Sequence, residues 1–164
     1  MNTQVARKLL ANMPDEVFGI YIVPLIQLHG WPFESLDTQS PDTALWMLMF
    51  DNQSVKMINQ LSWKRYEMPF SLAVFHPRAQ RTIFGLLDEH IRGIPTPYAN
   101  VINTKARFRS CREFIARTGR MPVPVVLQQD PMGLRILDGN HRLAAMASFA
   151  NSSNGIVDCW IGRL

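Results

Sequence analysis

ILDGNHRLAAM, Ile136 to Met146, changes its period halfway along. Leu134 to Leu137 reads as a strand, Asp138-Gly139 breaks it, and Leu143, Ala144, Ala145, Met146, Ala147 and Phe149 read as a strong helix. A strand delivered straight into a helix N-terminus leaves backbone N–H groups without intrahelical acceptors at the positive end of the helix dipole, which suits an anion. Gly139 has no Cβ to obstruct a close ligand, and Asn140 and His141 offer donors. Arg142 can add a bidentate fork to phosphate oxygens, and the Asp138 carboxylate suits a hard divalent cation. The same residues also compose an ordinary turn: Asp-Gly is a turn signal, Asn140 a good N-cap, and His141-Arg142 can sit on a solvated first turn.

Outward from this turn, the neighbouring elements follow from periodicity and punctuation. Phe108, Cys111, Phe114 and Ile115 make the apolar stripe of a helix ending at Gly119, and a strand runs from Val123 to Gln128. Asp130-Pro131-Met132-Gly133 turns the chain into the strand before the motif, and Ile156 to Ile161 is a last β-rich run. Further back, Ile83, Leu86, Leu87, His90 and Ile91 recur at helical spacing after Pro77, and Tyr66 to Phe75, with Pro69 inside it, reads as an edge strand. Phe18 to Val23 is β-rich and predicts a strand stopped by Pro24. Thr3 to Asn12 predicts a short helix, Asp42 an N-cap for a helix towards Leu61 broken near Asn52, and Ile94 to Asn103 a loop. Asp51, Gln53 and Lys56 are expected to face water; Met47, Met49 and Met57 are expected in the core.

The 164 residues suffice for one core with an N-terminal elaboration, and 47% hydrophobic against 18% charged residues is a globular balance. No apolar run approaches the roughly 20 residues needed to span a bilayer, and residues 1–16 lack a signal-peptide core, so a cytoplasmic protein without membrane contact is expected. Cys111 and Cys159 lack metal-type spacing and are expected reduced and packed. The net charge of +4 is local: Lys105, Arg107, Arg109, Arg112, Arg117 and Arg120 share one segment with only Glu113 against them. That segment is a candidate nucleic-acid surface at Lys105, Arg107, Arg109 and Arg112, or simply a solvated helix face. His29 and Trp31 share one loop, and His76 and His90 lie at the two ends of one helix without metal-type partners.

The motif resembles the signature turn of the ParB/sulfiredoxin-like superfamily, with the preceding helix and VPVVLQQD strand in the matching order over roughly the last sixty residues. Tyr21 to Leu28 resembles the family's opening strand, and residues 31–103 resemble nothing named. The resemblance implies an α+β fold with a small mixed sheet, its core at about 104–164 plus a strand near 18–28, and an elaboration over about 30–103. Sulfiredoxins carry a reactive cysteine where Asn140 stands, which removes sulfinic-acid repair. Chromosome-partitioning ParB proteins carry Glu-Arg-Arg after the glycine, use CTP and continue into a helix-turn-helix domain, which makes a partition protein the poorer match. Free-serine kinases carry Asp-Gly-His-His-Arg, different only at Asn140. That branch implies ATP phosphates at Gly139, Asn140, His141 and Arg142, Mg²⁺ at Asp138, and catalytic roles for Asp138 and His141. Glu34 is then the candidate to orient or deprotonate an acceptor hydroxyl. Plasmid-encoded inhibitors of DNA transfer resemble the same fold and imply nucleotide hydrolysis with DNA binding or cleavage. The expectation is a nucleotide-dependent phosphotransferase or hydrolase, with a DNA-associated protein and a non-catalytic interaction module as the alternatives.

Overall fold

In the computed structural model, which describes residues 2–38, 46, 49–94, 104–149 and 154–164, the β-branched run Phe18 to Val23 is helical rather than extended. Helix α1 (Asn2–Leu9) leads to α2 (Asp15–Val17), a π-wound turn over Phe18–Ile22, and α3 (Val23–His29). Pro24 falls in the first turn of α3, where a missing N–H costs no hydrogen bond, so it does not stop the chain as a strand reading requires. Val17, Phe18, Tyr21, Ile22 and Ile26 are the buried set, and their spacing is that of one helix face. Packing has overridden β propensity, and the opening strand near 18–28 is absent.

The chain divides into two compact units: Met1–Lys64 with Gly162–Leu164, and Arg65–Ile161. Trp31, Phe33, Trp46 and Phe50 form an aromatic core in the first unit, with Trp31 and Trp46 ring centroids 5.0 Å apart at 75°. Trp31 therefore packs in the core of the first unit. Asp51 and Asn52 take left-handed conformations, φ 53° and 63°, which break the helical run near Asn52 as expected. Helix α4 (Val55–Asn59) restarts behind Ser54, whose hydroxyl accepts from the Met57 N–H. The reversal tucks Gln53 inside, donating to the Phe50 carbonyl, instead of leaving it in water. Met57 faces outward rather than into the core, and Asp42 and Met47 lie outside the described residues.

The second unit carries the elements around the motif. Strands β1 (Ser62–Pro69), β2 (Val125–Asp130), β3 (Gly133–Asp138) and β4 (Ile156–Arg163) form a mixed sheet in the order β1-β4-β2-β3. The Pro69 strand sits at the edge, where proline costs no ladder bond. β2 lies between two neighbours, and Val125 to Gln128 are all buried, as a central strand demands. It pairs antiparallel with β3, Gln128 opposite Arg135, through the tight turn at Asp130 to Gly133. Helices α5 (Pro77–His90), α6 (Thr104–Thr118) and α7 (Asn140–Ala147) supply Ile83, Leu86, Phe108, Ile115, Leu143 and Met146 to the same core as Val125, Leu127 and Val157. His76 starts α5 by accepting the Arg78 N–H at 3.1 Å, and Gly119 ends α6 at φ 68°. The protein is thus α+β, and among the described residues no helix is long and apolar enough to cross a membrane.

Candidate functional site

Gly139 stands where β3 becomes α7, at φ 108° and ψ 20°, a left-handed conformation. A Cβ there would lie 2.4 Å from Cγ1 of Val125 and 2.8 Å from its Cβ, so glycine is required by β2 as well as by the turn. No side chain caps α7, and its first N–H groups, from Asn140 to Arg142, have no carbonyl one turn back to accept them. The strand running directly into a helix start is present as read from the sequence; the left-handed glycine is added by the structure.

Arg142 is engaged differently from the expectation. Its Nη2 donates to Asp138 Oδ2, and its Nη1 donates to the carbonyls of Pro124 at 2.7 Å and Val123 at 3.1 Å. The guanidinium therefore ties three points together: the end of β3, the first turn of α7 and the entry to β2. The fork expected at phosphate oxygens is already occupied, and the side chain is only 15% exposed. Asp138 is neutralised by the same pair, and among the described residues no group of three or more His, Cys, Asp or Glu could hold a metal ion.

His141 turns inward onto His90, with ring centroids 5.7 Å apart. His90 in turn stacks on Phe108, 4.6 Å away and 19° from parallel, while His141 is tilted 54° to His90, so one imidazole from α5, one ring from α6 and one imidazole from α7 form a cluster. Nε2 of both histidines and Nε of Arg112 are buried without hydrogen-bond partners. Burial is the main cause that pushes His141 down from 6.5 to about 4, and the nearby His90, Arg107 and Arg142 add to it against the opposing pull of Glu89. At neutral pH the His141 ring is uncharged and amphoteric, able to donate from one nitrogen and accept at the other. The sequence reading placed His90 on the apolar spacing of its helix without linking it to the motif; it stands some fifty residues away, and no local pattern joins the two.

The other expected residues separate. Glu34 is exposed in an irregular stretch of the first unit, and His29 is exposed at the end of α3. Lys105, Arg107 and Arg109 are exposed on α6, whereas Arg112 lies over the Phe149 ring at 5.1 Å and Arg117 over Phe114 at 5.9 Å. Arg120 pairs with Glu67 at 2.7 Å. Half of the basic segment is thus spent within the unit. Both cysteines are free; Cys111 is half-buried with its thiol pushed up by burial, and Cys159 is buried and pushed up to about 12, so neither is poised as a nucleophile.

The chain matches no family model, no curated protein and no solved structure. What the fold and site define by themselves is an α+β protein with an uncapped strand-to-helix turn, backed by two half-buried imidazoles.

Proposed function

We propose that the second unit binds a phosphate group, most simply that of a nucleotide such as ATP or CTP, at the turn from Gly139 to Arg142. The observation that carries this reading is the uncapped start of α7 behind a left-handed glycine, which leaves the N–H groups of Asn140, His141 and Arg142 without intrahelical acceptors. The resemblance of Asp138-Gly139-Asn140-His141-Arg142 to the superfamily motif supports the same reading. Within it, Arg142 positions the turn and adds positive potential, while the backbone N–H groups of the turn contact the anion. Phosphoryl transfer or hydrolysis by His141, with Asp138 released from Arg142, is the further step of that proposal. It needs a bound ligand to break the Asp138 to Arg142 pair.

Titration calorimetry of ATP and CTP, each with and without Mg²⁺, tests the binding. Asn140→Asp is the informative variant, because an acid in the first turn of α7 stabilises a helix by about 0.3–1 kcal/mol while repelling a bound anion. We expect nucleotide affinity to fall roughly tenfold or more while Tm holds or rises. Binding that survives Asn140→Asp unchanged places the nucleotide elsewhere, and no binding to the wild type removes the reading.

A second reading rests on Lys105, Arg107 and Arg109, exposed on α6 with no acidic partner among the described residues. As a DNA surface these three cations predict a slope of about −2 to −3 in log affinity against log salt for duplex DNA. A flat salt response removes it.

A further inference from the structure

The paired imidazoles meet at the first turn of α7, where three helices come together. His141 belongs to the first turn of α7, and the two helices that pack on α7 both present groups to it. From α5 come His90, at 5.7 Å between centroids, and Glu89. From α6 come Arg107, together with Phe108 and Arg112 through their contacts with His90 and Phe149. Its own helix contributes Arg142, whose charge is balanced by Asp138 of β3. The surroundings are thus half-buried, rich in guanidinium groups and opposed by one carboxylate, so an uncharged ring fits and a charged ring does not.

We propose that His141 is an acid-sensitive latch: uncharged, it holds the first turn of α7 against α5 and α6, and charged, it releases that turn. The sign follows from linkage. A released ring titrates near the ordinary 6.5 and the packed ring at about 4, so both forms are neutral above 6.5 and closure is complete. As pH falls below 6.5 the released form takes the proton first, and closure weakens progressively down to about 4. From pH 7.5 to pH 5 the open population should rise roughly 30-fold, since each pKa unit of difference is a factor of ten. The Gly139 to Arg142 turn is the part exposed by this opening, which makes it accessible or disordered under acid conditions while the sheet stays folded.

The test is made on the wild-type full chain in phosphate-free buffer. NMR titration of the histidine ring carbons should find one imidazole, assigned by comparison with His141→Gln, with a midpoint well below 6. Amide hydrogen exchange between pH 7.5 and pH 5, expressed as protection factors, should show protection at Leu143 and Ala144 falling about 30-fold while Val126 and Leu127 of β2 keep theirs. In His141→Gln, which carries no ionisable ring, the pH dependence at α7 should vanish. A His141 midpoint near 6.5, or protection lost equally in α7 and β2, overturns the latch. Should His141→Gln fail to fold, His90→Gln supplies the assignment by elimination, and the wild-type exchange profile still decides.

Discussion

Replacing Gly139 with alanine is expected to destabilise the second unit by about 3 kcal/mol or more, a left-handed non-glycine residue costing about 1–3 kcal/mol and overpacking a similar amount. The backbone at φ 108° disfavours any L side chain, and the new methyl lands 2.4 Å from Cγ1 of Val125, a residue wholly buried in the central strand. Neither β2 nor the turn can yield without moving the other. Urea unfolding followed by tryptophan fluorescence and circular dichroism measures the loss. Serine or alanine tolerated at this position with less than about 1 kcal/mol of cost means that the turn relaxes freely, which in turn denies it the rigidity a preformed anion cradle requires.

The second large effect is expected at Arg142. Arg142→Met keeps the length of the side chain but removes its charge, leaving Asp138 without its partner and the carbonyls of Val123 and Pro124 without their shared donor. Breaking a largely buried pair by removing one member costs about 3–5 kcal/mol, and because Asp138 remains about a third exposed the lower part of that range is expected. Asp138→Asn should cost less, since an amide oxygen still accepts from Nη2. A double-mutant cycle completes the measurement: coupling of at least about 1 kcal/mol identifies the pair as the clamp of the turn, and additivity within about 0.5 kcal/mol dissolves it. Arg142→Lys discriminates further, because an ammonium cannot span Asp138 and two carbonyls in the fixed geometry of a guanidinium.

These two residues show how one motif performs two tasks. Gly139 lets the chain turn from β3 into α7 against Val125, and Arg142 fastens that turn to the entry of β2. The residue types that made the stretch resemble a phosphate motif are also those that build it mechanically. A ligand anion, if bound, meets a turn already organised by its own ion pair, with backbone donors as the free groups. The decisive contrast is between Asn140→Asp, which changes the charge at the helix start and leaves the clamp alone, and Arg142→Met, which removes the clamp together with its charge.

The order helix, strand, turn, strand, helix, strand over the last sixty residues was legible from the chain itself, because each element there carries a local signal. Gly119 ends α6, Asp130 to Gly133 turns between β2 and β3, and the alanine run after Arg142 specifies α7. The edge position of the strand before Pro69 was legible too, since a missing N–H excludes a central place. Phe18 to Val23 was misleading: β-branched residues state a preference of only about 1 kcal/mol across the whole scale, and burying Val17, Phe18, Tyr21, Ile22 and Ile26 on one helix face outweighs it. Gln53 went inside because two left-handed residues before it reversed the chain, a conformation that no apolar pattern announces.

Local sequence, then, determined the turn and its glycine, because conformational restriction acts within a few residues. Tertiary structure alone decided that Arg142 would spend its fork on Asp138 and two carbonyls, and that His90 would meet His141 across a separation of some fifty residues. Such partnerships arise only when helices from distant parts of the chain pack on one sheet, where burial and neighbouring charge give the same residue types a chemistry that their order does not encode.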